Sequence, residues 1–161
     1  MKLLIVYYTW SNGNTERIAK ALQKRAGGDL EKIALVHPYT GDYNAVVKQG
    51  EDEVNAKATP AIQPLQHDLD AYDTIAIGTP TWWYTVAPAV RTFLTTYDLA
   101  NKIIIPFATN GGWPGETIAD IGKLSRAKNV KKGMNVRFDS TGGAQLVTKE
   151  KDIEAWLASV V

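Results

Sequence analysis

Residues 2–22 read KLLIVYYTWSNGNTERIAKAL, and the order of patterns within this stretch decides the fold. The apolar run at residues 2–8 is typical of a strand that is buried on both faces of a parallel sheet. Apolar side chains then recur at helical spacing through residues 15–26: Ile18, Ala19, Leu22 and Ala26. The stretch therefore predicts a buried strand, a polar loop and an amphipathic helix.

The same alternation of strand and helix patterns continues to the end of the sequence. Strands are predicted at residues 2–8, 30–36, 72–78, 102–108 and 134–138, and helices at 15–26, 44–56, 88–97, 116–128 and from about 149. Alternating strands and helices form βαβ units with a parallel sheet and right-handed crossovers, so the chain is predicted to be an α/β protein. We also expect Pro106 to cause a bulge in the fourth strand or to end it early, and Thr148 to cap the last helix.

The composition is that of a single globular domain covering residues 1–161, with 18 basic and 17 acidic side chains. Without cysteine the chain has no disulfide or thiolate chemistry, which is compatible with a cytoplasmic location. The two histidines lack spaced ligand partners, so no metal site is expected. The basic residues are scattered and the first apolar run is too short to span a bilayer. We therefore expect neither a nucleic-acid nor a membrane partner.

Three unusual loops follow the first, third and fourth predicted strands. In an open parallel sheet, ligands bind beyond the carboxyl ends of the strands, near the point where the strand order reverses. The loops at that edge are TWSNGNT at residues 9–15, GTPTWWYTVAP at 78–88 and TNGGWPGE at 109–116. These loops are the place to look for a binding site.

The loop at residues 9–15 has the composition of an anion-binding site, although it contains no lysine or arginine. It carries three hydroxyls and two amides, and Gly13 permits a left-handed backbone. The following helix presents its free N–H groups and its positive dipole end to the loop. Capping the helix would need only one such side chain, so the surplus favours a phosphate. The motifs GxxxxGK[ST] and GxGxxG are absent, which disfavours a nucleoside triphosphatase and a dinucleotide-binding protein.

The second and third loops indicate what lies at the other end of the ligand. Trp82, Trp83 and Tyr84 are consecutive, so their side chains alternate in direction and cannot all enter one core. Either one tryptophan packs beneath the loop and another on a neighbouring helix, or one of the rings lies against a flat, apolar ligand. The glycines of residues 109–115 allow backbone to approach a ligand closely, although they also make turns. Together the loops predict a mononucleotide-like cofactor.

Three segments carry a resemblance to a known family: IVYYTWSNGNTERIA, IGTPTWWYTVAPAVRTFL and PFATNGGWPGETIADI. They resemble the flavodoxin family, and the similarity extends over nearly the whole chain. The resemblance implies a three-layer α/β/α fold with a five-stranded parallel sheet in the order 2-1-3-4-5, and it implies FMN as the cofactor. It also implies that the first loop holds the FMN phosphate and that the other two flank the isoalloxazine ring.

The predicted cofactor-binding residues are Thr9, Trp10, Ser11, Asn12, Gly13, Asn14, Thr15, Pro80, Thr81, Trp82, Trp83, Tyr84, Thr109, Asn110, Gly111, Gly112 and Gly115. Neither a catalytic residue nor a metal ligand is predicted. The partners expected besides FMN are a redox partner protein or a small quinone-like acceptor. The chain is expected to be a monomer or a homodimer.

Three functions are compatible with these patterns. The first is electron transfer by an FMN protein, which needs no acid, base or nucleophile from the chain. The alternative is an FMN-dependent NAD(P)H:quinone or flavin reductase, for which residues 37–71 could shape a substrate pocket. The net charge of +1 fits it better, because the resemblance implies strongly acidic electron carriers. The third, a flavin-free receiver domain, needs an aspartate at the end of the third strand, where Gly78 and Thr79 stand instead.

Overall fold

A computed structural model describes residues 1–161 and contains seven strands, five α-helices and one short 3-10 helix at Leu69–Ala71. The strands are β1 (Leu3–Tyr7), β2 (Asp29–Lys32), β3 (Thr74–Trp82), β4 (Thr85–Val86), β5 (Ile103–Asn110), β6 (Asn129–Val130) and β7 (Met134–Arg137). The helices are α1 (Asn14–Ala26), α2 (Tyr43–Asn55), α3 (Pro88–Thr96), α4 (Thr117–Ser125) and α5 (Glu150–Val160). Every predicted element is present, although several of their ends differ from the prediction.

The sheet confirms the predicted fold class and strand order. The order is β2-β1-β3-β5-β6, and all of these neighbours are parallel. β7 also pairs in parallel with β5, and β4 forms a short antiparallel hairpin with β3. The five predicted positions in the order 2-1-3-4-5 are therefore all occupied. The count is seven because the fifth position is divided between β6 and β7 and because β4 is added.

Pro106 explains why the fifth position is divided. The predicted early end of the strand was wrong, because β5 continues through the proline to Asn110. The predicted bulge falls in the neighbouring strand: Ile104 pairs with Val130 and Phe107 with Met134, so that strand has one extra residue there. Lys131 N donates to Ile104 O at 2.8 Å, and a Cβ on Gly133 would lie 2.9 Å from Pro106 Cγ. Proline has no N–H to donate to the neighbouring strand. The interruption therefore falls opposite Pro106, in the gap between β6 and β7.

Two predicted boundaries near other elements also need correction. The second strand ends at Lys32 rather than at residue 36, and only an isolated bridge joins Leu35 to Ile62. Thr148 does not cap the last helix, since its hydroxyl accepts a hydrogen bond from Arg137 N at 2.7 Å. Lys149 takes the N-cap position without a side-chain bond. Local sequence signals could not show that the threonine would accept a hydrogen bond from Arg137 at a strand edge.

Apolar side chains alternate between the two faces of the sheet and give the molecule three layers. On one face, Leu4 and Val6 of β1 belong to the core that includes buried residues of α3 and α4. On the other face, Leu3 and Ile5 pack with buried residues of α1 and α5. None of the five helices combines the length and the apolar character needed to cross a membrane.

Candidate functional site

The loops after β1, β3 and β5 meet at one edge of the sheet and enclose a cavity of about 250 Å³. Eleven of the predicted site residues line this cavity: Trp10, Ser11, Asn14, Thr15, Pro80, Thr81, Trp82, Trp83, Thr109, Asn110 and Gly111. The parallel sheet explains this convergence, because it brings the carboxyl ends of its strands to one edge.

An adjoining, more open cavity of about 770 Å³ receives a further part of the predicted set. Thr9, Asn12 and Gly13 line it, and Trp10 and Ser11 border both cavities. Its outer wall is charged, because Glu16 bridges Lys20 at 2.8 Å and Lys32 at 3.4 Å. The remaining three predicted residues, Tyr84, Gly112 and Gly115, line neither cavity.

The backbone of the first loop leaves its donors free. None of the N–H groups of residues 9–16 donates a hydrogen bond within the protein. Ser11 and Gly13 have φ values of 62° and 72°, so the chain enters α1 through left-handed conformations. Gly13 is the N-cap, and no side chain caps the helix. The polar side chains of this loop therefore do not serve ordinary capping, and the free N–H groups can bind an anion.

The side chains of the first loop have three different roles. Thr15 Oγ1 lies 2.8 Å from Thr109 Oγ1 and ties the loop to β5. The amide nitrogens of Asn12 and Asn14 donate to the carbonyls of Gly142 and Gly143 respectively. The amide nitrogens of both asparagines are therefore engaged within the protein. The sequence could not show these bonds, because the acceptors lie about 130 residues further along the chain.

The hydrogen bonding of the Thr9 side chain indicates whether a phosphate fits this loop. Its Oγ1 is buried and has no hydrogen-bond partner. A buried hydroxyl without a partner costs about 1–3 kcal/mol, so such groups are uncommon unless a ligand or water satisfies them. An unpartnered hydroxyl beside a run of free backbone donors matches a bound phosphate.

Trp82 forms the packed side of the cavity. Its ring centroid lies 6.2 Å from Tyr8, 5.7 Å from Trp10 and 5.3 Å from Tyr39. The ring also lies directly on α2, since a Cβ added to Gly50 would come within 2.9 Å of it. Trp82 thus packs within the protein, beneath the loop and on α2.

Trp83 and Tyr84 form a strained turn between β3 and β4. Their φ values are 50° and 69°, a region of backbone conformation that residues other than Gly and Asn seldom adopt. Tyr84 O accepts from Glu116 N at 2.9 Å, and Gly115 approaches so closely that a Cβ there would lie 2.3 Å from Tyr84 O. Gly115 therefore makes room for the turn rather than for the ligand. Trp83 is 44% exposed at the edge of the cavity.

Two walls of the cavity lie outside the predicted cofactor-binding residues. Their lining residues are Tyr43, Val46, Val47 and Gly50 from α2, and Phe138, Asp139, Gly142 and Gly143 after β7. A signal for the second wall was present, because the turn-forming stretch DSTGG follows the fifth strand at the same edge of the sheet. Residues 37–71 were expected to shape a substrate pocket in the reductase alternative, but the thin apolar stripe of α2 did not show which loop the helix would cover.

The electrostatics of the cavity are set by one carboxylate and by neutral groups. Hydrogen bonds from the Thr141 hydroxyl and from the N–H groups of Gln145 and Gly143 lower the pKa of Asp139 to about 2. Behind the lining, next to Trp82, burial assisted by Glu53 raises the pKa of Tyr8 to about 12. At neutral pH the lining carries one ionised carboxylate, that of Asp139, among hydroxyls, amides, aliphatic side chains and aromatic rings. This arrangement can hold an anion beside a flat apolar group.

The chain belongs to the flavodoxin family, since the family model described as Flavodoxin matches residues 2–158. This match confirms the resemblance drawn from the three loops. A flavodoxin of Haemophilus influenzae is 32% identical over 89 residues, which is 55% of this chain and 37% of that protein. The match therefore covers little more than a third of the length of this curated relative.

Two solved structures show the same fold over almost the whole chain. A candidate flavoprotein of Bacteroides eggerthii is 34% identical, with a TM-score of 0.79 over 99% of this chain and 98% of that one. A flavoprotein of Lactobacillus acidophilus in complex with FMN is 22% identical, with a TM-score of 0.74 over 96% of this chain and 97% of that one.

Proposed function

We propose that this chain is an electron-transfer protein that binds FMN as one flavodoxin-like domain of residues 1–161. The observation that carries the proposal is the buried, unpartnered hydroxyl of Thr9 beside the free N–H groups of residues 9–16. The cofactor is FMN: membership of the flavodoxin family supports it, as does the FMN complex of the related fold in Lactobacillus acidophilus. The chain acts in the cytoplasm in this proposal, as a monomer or a homodimer.

Each part of the site would have a distinct task toward FMN. Thr9 and the backbone donors of the first loop would hold the phosphate. Trp82 and Trp83 would cover the ring from one side, while residues 109–111 would approach it from the other. The flavin itself supplies the oxidation and reduction. The ionised Asp139 would keep a negative charge at the wall of the cavity throughout the neutral pH range.

The lining of the cavity favours electron transfer over a reaction that needs the side chains of the chain. Its lining groups are hydroxyls, amides, aromatic rings, aliphatic side chains and one carboxylate that hydrogen bonds keep ionised. Such a carboxylate has no proton to donate at neutral pH and is a weak base, so these groups mainly bind and shield the ring. The redox partner would be a protein that accepts or donates electrons near Trp83.

An FMN-dependent NAD(P)H:quinone or flavin reductase is the second candidate. The wall contributed by α2 favours it, because Tyr43, Val46 and Val47 extend the apolar side of the cavity. A small quinone-like acceptor could lie against that wall. The net charge of +1 agrees with an uncharged acceptor, since it gives little electrostatic steering of a protein partner.

Binding of FMN is tested first, by titrating the apoprotein with FMN and, separately, with riboflavin. We expect FMN to bind at least about tenfold more tightly, because only FMN offers the phosphate to the first loop. Failure to retain FMN would overturn both candidates. The FMN-loaded protein is then mixed with NAD(P)H and several quinones. Steady oxidation of NAD(P)H would favour the reductase, whereas its absence together with exchange of electrons with a redox protein would support the carrier.

A further inference from the structure

Residues 139–145, between β7 and α5, form a loop that we call the strap. Its shape is set by one side chain, because the Asp139 carboxylate accepts hydrogen bonds from the Thr141 hydroxyl at 2.7 Å, Gly143 N at 2.8 Å and Gln145 N at 2.9 Å. Asp139 N also donates to Gln145 O at 2.9 Å and closes the base of the strap. Gly143 lies so near the carboxylate that a Cβ there would be 2.5 Å from Oδ2.

The strap is joined to the first loop by two side chains. Asn14 Nδ2 donates to Gly143 O at 3.0 Å, and Asn12 Nδ2 donates to Gly142 O. Both acceptors belong to the part of the strap that the Asp139 carboxylate folds. The conformation of the strap therefore decides where the two asparagines of the first loop are held.

The first loop depends on such outside support. Its N–H groups make no hydrogen bonds within the protein, so backbone bonding does not fix the directions of these donors. The side-chain bonds that hold residues 9–15 are those of Asn12 and Asn14 to the strap and of Thr15 to Thr109. A phosphate gains most from donors that are already aligned, because little ordering then remains to be done on binding.

We propose that Asp139 is a positioning residue for the phosphate loop: it folds the strap, and the strap holds Asn12 and Asn14 so that the N–H groups of residues 9–16 are aligned for the phosphate. This inference rests on the proposed function, since the phosphate is that of FMN. Asp139 itself does not touch the phosphate. It acts through the carbonyls of Gly142 and Gly143.

The test compares Asp139→Ala, Asn14→Ala and the double variant with the wild type. Asp68→Ala is the matched control, because the Asp68 carboxylate also accepts a nearby backbone N–H, from Asp70 at 3.0 Å, but does not line the cavity. We expect Asp139→Ala to weaken the binding of FMN about tenfold and that of riboflavin less than about twofold. If both residues act through the strap, the double variant should bind FMN about as weakly as the weaker-binding single variant. The two losses of FMN affinity should then not multiply.

A measurement on the apoprotein keeps this inference separate from the proposed function. Nitrogen relaxation of residues 9–16 should show order parameters that fall below about 0.6 in Asp139→Ala but stay near the rigid value of about 0.85 in Asp68→Ala. If the wild type does not bind FMN, the proposed function fails, while these order parameters still decide whether Asp139 fixes the loop.

Three results would overturn the inference. One is unchanged FMN affinity in Asp139→Ala, and another is an equal loss for FMN and riboflavin, which would show a structural role only. The third is unchanged order of residues 9–16 in the apoprotein. If Asp139→Ala does not fold, Asp139→Asn replaces it, and this variant keeps one carbonyl acceptor. Asp139→Asn should then bind FMN less tightly than the wild type, but by less than the about tenfold expected for Asp139→Ala. Wild-type affinity would again overturn the inference.

Discussion

We expect the buried hydroxyl of Thr9 to destabilise the apoprotein and to strengthen the binding of FMN. Replacing it with valine keeps the shape of the side chain and removes the unpartnered hydroxyl. We expect Thr9→Val to raise the free energy of unfolding of the apoprotein by about 1 kcal/mol, because a buried unsatisfied group is removed. The same change should weaken FMN binding about tenfold. Urea unfolding and FMN titration measure the two effects.

Thr95→Val is the control for that substitution. The Thr95 hydroxyl donates to Arg91 O at 2.8 Å on the exposed side of α3, and it lines neither cavity. This variant should bind FMN like the wild type. An apoprotein of Thr9→Val that is less stable than the wild type, together with full FMN affinity, would contradict the assignment of Thr9 to the phosphate.

Asp139 gives a second prediction at the scale of a residue, through the pH dependence of stability. Its folded pKa of about 2 is below the ordinary value of 3.8. A lowered folded pKa means that its contribution is complete above about pH 3.8 and is lost as the pH falls through about 2. The difference in unfolding free energy between wild type and Asp139→Asn should stay constant from pH 7 to 4 and shrink below that.

Urea unfolding of both proteins at pH values from 7 to 2 checks the window. A difference that disappears between pH 7 and pH 5 would show that the hydrogen bonds of the strap do not hold the carboxylate ionised in solution.

At the scale of elements, the turn of Trp83 and Tyr84 stores strain that other residues would relieve. Two-residue hairpin turns with positive φ at both positions favour Asn-Gly, whereas bulky side chains there cost about 1–2 kcal/mol each. We expect the double change Trp83→Asn and Tyr84→Gly to raise the free energy of unfolding by about 1 kcal/mol. Some of the gain is lost with the half-buried Trp83 ring. Urea unfolding of the apoprotein measures it.

The single variant Tyr84→Gly separates strain from ligand contact. It should give about half the gain in stability and keep FMN affinity, because Trp83 still lines the cavity. The double variant should bind FMN more weakly. A double variant that is less stable than the wild type would show that the packing of the two aromatic side chains outweighs the strain of the turn.

The order of the main strands and helices was predictable because most of them carry their own pattern in a short window. Residues 2–8 and the helix that follows are examples, since their periodicity needs no distant partner to be interpreted. The errors fall where a distant partner decides the structure. β5 runs through Pro106 because the irregularity that the missing N–H causes falls in the neighbouring strand. The Thr148 hydroxyl accepts a hydrogen bond from Arg137 N at a strand edge.

At the scale of the whole molecule, the position of the candidate site was also predictable from the sequence, whereas the contacts of its side chains were not. The loops after β1, β3 and β5 were predictable, because their composition is unusual and the parallel sheet brings strand ends together. The roles of single side chains were not. Asn12 and Asn14 turn to a loop near the other end of the chain, and Gly115 makes room for Tyr84. Such pairings depend on tertiary contacts that have no local signature.

The net charge of the whole molecule determines how it should meet a redox partner. With 18 basic and 17 acidic residues, its long-range field is weak, so charge should contribute little to the rate of encounter. We expect the rate of electron exchange with a charged redox protein to change less than about threefold between roughly 10 and 200 mM salt. Stopped-flow measurements on the FMN-loaded protein over that range test this.

A charge-reversed protein supplies the contrast for the salt experiment. Four basic residues lie outside both cavities, near the end of α4 and beyond it: Arg126, Lys128, Lys131 and Lys132. Changing all four to glutamate makes the molecule acidic without altering the site. With a basic partner, this variant should react faster at low salt and lose the advantage as salt rises, because the Debye length shortens to about 8 Å at physiological ionic strength. A steep salt dependence in the wild type would instead mean that a local charged patch, and not the net charge, guides the partner to the site.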